Sequence, residues 1–196
     1  MIDPHAITDF ERSDATLEEF ALFVPAVAGK TASQIALALD RLLASAPAPT
    51  PFGVIRTLDQ RGALTDAIRD ARLGKWRSLT ACYRALASDA IDLRACGVED
   101  LEAIPAYGPK SARFFLLHTR PDQRVAVLDT HILAHLRALG HDVPRVTPTS
   151  GSGYRRVERL FLEHAESVGR TDLAAYDLEI WSRSTTRSRR PDAATP

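Results

Sequence analysis

The feature that most constrains this chain is the heptapeptide Ile104-Pro105-Ala106-Tyr107-Gly108-Pro109-Lys110, set between two stretches of helical spacing. It reads as an apolar anchor, a turn, a glycine able to take positive φ and a proline suited to the first helical position. Together they predict a tight hairpin that opens a helix over residues 111–119. A helix start of this kind leaves backbone N–H groups unpaired and attracts anions. Lys110 stands at that start, and Asp129 stands at the start of the next helical pattern, residues 130–139.

The rest of the chain follows the same helical rule. Asp14 caps a helix over 16–24, and residues 25–30 break or bend the chain. Thr31 or Ser33 caps a helix with Ile35, Leu39, Leu42 and Leu43 on one face. Residues 45–53 (SAPAPTPFG) read as a connector, and helical spacing resumes at about 64–72 and 76–87. A short turn-and-helix over 93–103 leads into the hairpin. An apolar run, 125–128, enters the 130–139 helix, which Gly140 stops. A polar loop over 146–153 precedes helices at 154–168 and 171–182, and residues 183–196 read as a disordered tail. No repeat and no strand pair emerges, so the expected class is all-α.

Composition excludes several functions. Two cysteines, Cys82 and Cys96, are too few for a disulfide framework or for an iron–sulfur cluster held by four thiolates. Residues 1–10 carry no secretory pattern and no apolar run reaches membrane-spanning length, which makes the cytoplasm the expected location and a membrane partner unexpected. The formal net charge is zero, but it is unevenly spread: seven acids face three bases in residues 1–50, leaving 22 bases against 18 acids in 51–196. Basic clusters occur at Arg69, Arg72, Lys75 and Arg77, at Lys110, Arg113, Arg120 and Arg124, and at Arg155, Arg156 and Arg159. They are compatible with solvated helix faces and with a nucleic-acid partner alike.

Lysine is scarce: only Lys30, Lys75 and Lys110 occur among 25 basic residues. An amine can deprotonate and attack carbon, which a guanidinium cannot. The positive end of a helix disfavours an ammonium, as partial burial does, so the position of Lys110 suits a nucleophile. N–H groups around Gly108, Lys110 and Ser111 form a candidate phosphate cradle. Asp129 is a natural helix cap, and it also emerges from an apolar run where a carboxylate can support a developing sugar cation. His131 beside it is a candidate phosphate contact or interface filler, and Cys82 and Cys96 are expected to be buried and inert.

Residues 20–181 resemble the helix-hairpin-helix DNA glycosylase superfamily through Leu101, Ile104-Pro105, Gly108, Lys110 and Ala112, then Val127-Leu128-Asp129, His131 and Ile132. Residues 27–31, 71–77 and 177–181 make the chain most similar to the compact second branch of 8-oxoguanine DNA glycosylase/lyases. The resemblance implies one domain over 1–182 of two packed helical lobes, about 1–28 plus 146–182 and about 29–145, with a DNA-binding cleft between them. It implies a monomer that binds double-stranded DNA carrying a damaged base, nucleoid-associated when acting, and needs no cofactor. Lys110 would attack the sugar C1′ and Asp129 would stabilise the sugar cation. Gly108, Ser111, Ala112, His131 and Lys30 would hold DNA, and Asp177 and Trp181 would line the pocket for the flipped base. The carbonyls of Glu102, Ile104 and Tyr107 would hold a structural Na+ or K+. The chain departs from the pattern at Ala106, where the hairpin usually has its first glycine, and in a tail without lysine. Two alternatives stay open: a glycosylase for another modified base, as in DNA defence, and a non-catalytic DNA-binding module.

Overall fold

The computed structural model of the chain describes residues 1–4, 6–88 and 90–188, with side chains to 183. It is all-α, with no strand among the described residues. The helices are α1 (Asp14–Val27), α2 (Ala32–Leu43), α3 (Pro51–Gln60), α4 (Leu64–Asp70) and α5 (Trp76–Leu86), followed by α6 (Val98–Glu102), α7 (Pro109–Thr119), α8 (Thr130–Ala138), α9 (Gly151–Ser167) and α10 (Leu173–Ser188). Contacts divide the chain into two compact units, Met1–Arg120 and Pro121–Pro196.

The first unit is built round α1. Its residues 20–26 are all buried, the signature of a helix enclosed on every side. It packs against α2, α3, α5 and α7 of this unit. Ser13, not Asp14, is the cap, accepting the Thr16 N–H. Pro25 lies inside α1 instead of ending it. A proline there forfeits one rung of the helix. The Tyr83 hydroxyl donates to the Leu22 carbonyl at 2.9 Å in the same turn, so that stretch of backbone is met from α5. The last three residues of the expected connector 45–53 open α3, a helix the sequence reading did not expect: Thr50 caps it, with Pro51 in its first turn, so the proline starts the element.

A buried arginine clips the N-terminal segment to α7. Arg12 donates to the carbonyls of Ile7 (2.7 Å), Asp9 (2.7 Å) and His118 (2.8 Å), and its guanidinium lies 4.1 Å from the centre of the Phe20 ring. His118 is fully buried against Phe114, with Nδ1 2.8 Å from the Thr8 hydroxyl. Burial, and then the Arg12 charge, push the His118 pKa down to about 4.

In the second unit the apolar run 125–128 is pinned by side chains of α9, not by a neighbouring strand. Tyr154 Oη accepts the Leu128 N–H and donates to the Ala126 carbonyl, both at 2.9 Å. Glu158 accepts the Ala126 N–H at 3.0 Å, and Thr147 donates to the Leu128 carbonyl at 2.7 Å. Helix α10 packs against α8 and runs on through residues 183–188, where sequence composition places the start of the tail. Arg183 pairs with Glu179 one turn back, so propagation from a docked helix carries the chain onward. Residues 189–196 of the expected tail lie outside the described residues.

His118 gives the fold a defined response to acid. Its folded pKa lies below the unfolded value, so the unfolded chain takes up the proton first as pH falls. The associated stability is complete above about pH 6.5 and is lost towards pH 4, by up to roughly 3 kcal/mol. Urea midpoints measured across this window should therefore fall with acid, and the fall should be smaller in His118→Gln than in the wild type.

Candidate functional site

The hairpin is fixed from beneath by an ion pair. Arg113 is 3% exposed, donates to the Pro109 carbonyl at 3.2 Å, and pairs with the Glu102 carboxylate. That contact ties α7 back to α6. The Tyr107 N–H closes the turn on the Ile104 carbonyl at 3.0 Å, and the Tyr107 ring is buried beneath it. The phenol oxygen has no partner among the described residues, and burial raises its pKa well above the usual range.

The backbone inverts the expectation for this turn. Ala106 takes the left-handed conformation (φ 64°), while Gly108 is extended at φ −77° and ψ 177°. An added Cβ at Gly108 would meet nothing within 4 Å. Gly108 is the N-cap of α7, and having no side chain it offers no cap of its own. The N–H groups of Gly108, Lys110 and Ser111 therefore have no backbone partner among the described residues, whereas the Ala112 N–H is bonded to the Gly108 carbonyl at 3.0 Å. Ala112 is also fully buried, so it belongs to the core and not to the expected cradle.

Lys110 is half-buried on the first turn of α7 and makes no ion pair or hydrogen bond among the described residues. The other two lysines are used. Lys30 donates to the Leu73 carbonyl and Lys75 to the Ala28 carbonyl, at 2.7 Å in the second case. Burial and then the charge of Lys75 lower the Lys30 pKa. These bonds join the 27–31 loop to the turn before α5, where Trp76 lies 4.7 Å from each of two guanidiniums, Arg69 and Arg77. Lys30, expected to touch DNA, thus sits in a basic and aromatic patch and has a structural bond there.

Asp129, in the second unit, caps α8. One carboxylate oxygen accepts the N–H groups of His131 and Ile132, both at 2.8 Å, and the other has no partner among the described residues. Its own N–H bonds the Val127 carbonyl at 2.7 Å, so the side chain leaves a rigid turn. The edge of the Trp181 ring approaches His131 at 6.2 Å between centroids, and Trp181 is 50% exposed. Asp177, one turn earlier on α10, is buried. The second unit therefore gathers Asp129, His131 and Trp181 at one end of α8, while Gly108, Lys110 and Ser111 cluster in the first unit.

Sequence spacing missed one polar cluster. His135 on α8 and His164 on α9 each place Nε2 3.1 Å from the Tyr176 hydroxyl on α10. Burial lowers the pKa of both imidazoles, so both are neutral at neutral pH. Cys82 and Cys96 are buried, as expected, and burial pushes the Cys82 thiol up to about 12. No group of three or more His, Cys, Asp or Glu side chains placed to hold a metal occurs among the described residues, and none of their helices is long and apolar enough to cross a membrane. No protein-family profile and no solved structure matches this chain.

The strain at Ala106 is measurable. A left-handed alanine costs about 1 kcal/mol, partly offset by the unfolded-state freedom that glycine adds. Ala106→Gly should raise the urea midpoint slightly or leave it unchanged, and Ala106→Val should lower stability by more than about 1 kcal/mol because a β-branched residue tolerates this φ poorly.

Proposed function

We propose that the protein is a bifunctional DNA N-glycosylase and abasic-site lyase acting on a damaged purine, with 8-oxoguanine the first candidate. The observation that carries the reading is Lys110: an ammonium without a partner among the described residues, beside three free N–H groups at the open start of α7. A phosphate held by those N–H groups would bring a sugar close to the amine. A glycine at 108 that neither φ nor packing requires supports close approach from outside.

In this reading the target nucleotide leaves the duplex, and the aromatic face of Trp181 offers a stacking surface for the base. Lys110, as the free amine, attacks C1′ while the glycosidic bond breaks and the base leaves with a proton. Loss of the amine proton and opening of the sugar give a Schiff base, and removal of a C2′ proton then expels the 3′ phosphate. The unpartnered oxygen of Asp129 supplies the negative charge that the cationic sugar needs. The reading requires Lys110 and Asp129 to act on the same nucleotide. A monovalent cation would suit the hairpin: the carbonyls of Glu102 and Tyr107 receive no backbone hydrogen bond among the described residues, and that of Ile104 keeps a second lone pair. Such an ion would fix the turn and take no chemical part.

Borohydride should trap the wild-type protein covalently on duplexes carrying 8-oxoguanine or an abasic site, and Lys110→Gln should abolish the adduct. Asp129→Asn keeps a good N-cap and removes the charge, so it should preserve the fold while slowing single-turnover excision by about 10²-fold or more. Equal trapping by Lys110→Gln, or no adduct with the wild type on any lesion of a broad panel, would overturn the lyase assignment. Normal DNA binding without any processing would favour the non-catalytic module.

A further inference from the structure

Three donor atoms from three helices converge in the second unit. Nε2 of His135 (α8) and Nε2 of His164 (α9) each lie 3.1 Å from Oη of Tyr176 (α10), and the two imidazole rings stand 5.4 Å apart, centre to centre, at 61°. As hydrogen bonds alone this arrangement is asymmetric, because one phenol proton serves only one ring and the other ring must itself donate. The spacing also matches a coordination shell. Donors held about 2.0–2.1 Å from one ion at tetrahedral angles stand about 3.3 Å apart.

We propose that His135, His164 and Tyr176 form a binding site for an imidazole-preferring divalent transition cation, Zn2+ or Cu2+, with two nitrogen donors and the phenol oxygen as the third. The donor set selects the class. Hard cations such as Mg2+ and Ca2+ require carboxylate or carbonyl oxygens, and the nearby carboxylate, Glu179, is already held by Arg170 and Arg183. Those two guanidiniums, with Arg170 5.0 Å from the Tyr176 ring centre, disfavour any ion bound by charge alone. Strong bonds to imidazole tolerate that environment better. His141, near enough to His164 to act on it electrostatically, is a further imidazole on that side. On binding, both rings carry their single proton on Nδ1, and the phenol proton leaves to solvent if the oxygen coordinates as phenolate. The ion would cross-link α8, α9 and α10. None of this depends on the DNA reading.

Calorimetric titration of the untagged, full-length chain with Zn2+ tests the site, with Mg2+ as the control. One saturable equivalent of Zn2+, no Mg2+ response and a melting temperature that rises with Zn2+ are expected. His135→Gln and His164→Gln retain a hydrogen-bonding side chain at half-exposed positions, so both should fold, as circular dichroism will report. Each should weaken Zn2+ binding about tenfold or more. Cu2+ should give a visible phenolate charge-transfer band that disappears in Tyr176→Phe. Absence of a one-to-one site, or unchanged affinity in both folded histidine variants, would overturn the proposal. A wild-type copper complex lacking the band would overturn the phenol as third donor.

Discussion

The buried pair between Arg113 and Glu102 is the contact on which the hairpin depends. A guanidinium that is 3% exposed is far too costly to leave unpaired, so α6 must return its last residue to α7. Between the paired residues the chain turns through residues 103–108, with Ala106 in the left-handed conformation. One strained alanine costs less than a buried arginine without its carboxylate, so the ion pair sets the geometry. The same constraint holds the first turn of α7, and with it Lys110, against a rigid base.

The two helix starts that carry the candidate chemistry are built in opposite ways. At α8, Asp129 satisfies the exposed N–H groups of His131 and Ile132 with its own carboxylate. At α7, Gly108 occupies the cap position and satisfies none. A serine or aspartate there would close that start and stabilise the helix by about 1 kcal/mol. Glycine gives up that stabilisation and leaves donors facing outward. One start therefore presents positive potential, and the other presents a carboxylate oxygen.

Periodicity made the helical class and most elements legible, because apolar residues at helical spacing leave few other ways to bury a core. It missed α3 altogether, since a proline-rich stretch reads alike whether its last proline ends a loop or opens a helix. It also assigned positive φ to the wrong residue of the hairpin. Glycine is the usual marker of that conformation, yet here alanine bears it, and nothing in sequence spacing reports an ion pair that compels a turn. Lys110 and Asp129 were legible because each stands at a helix boundary written in prolines, glycines and apolar runs. The His135, Tyr176 and His164 cluster was not, because its members are 41 and 12 residues apart and meet only through the packing of three helices.

That packing links the cluster to the site. Helix α8 carries Asp129 at its cap, His131 in its first turn and His135 one turn further on, while α10 carries Tyr176 and then Trp181. Two contacts thus join the same pair of helices: a polar one between His135 and Tyr176 and an aromatic one between His131 and Trp181. Both add to the side-by-side packing of the two helices. The polar contact at Tyr176 and the aromatic contact at Trp181 therefore both bear on how α10 lies against α8.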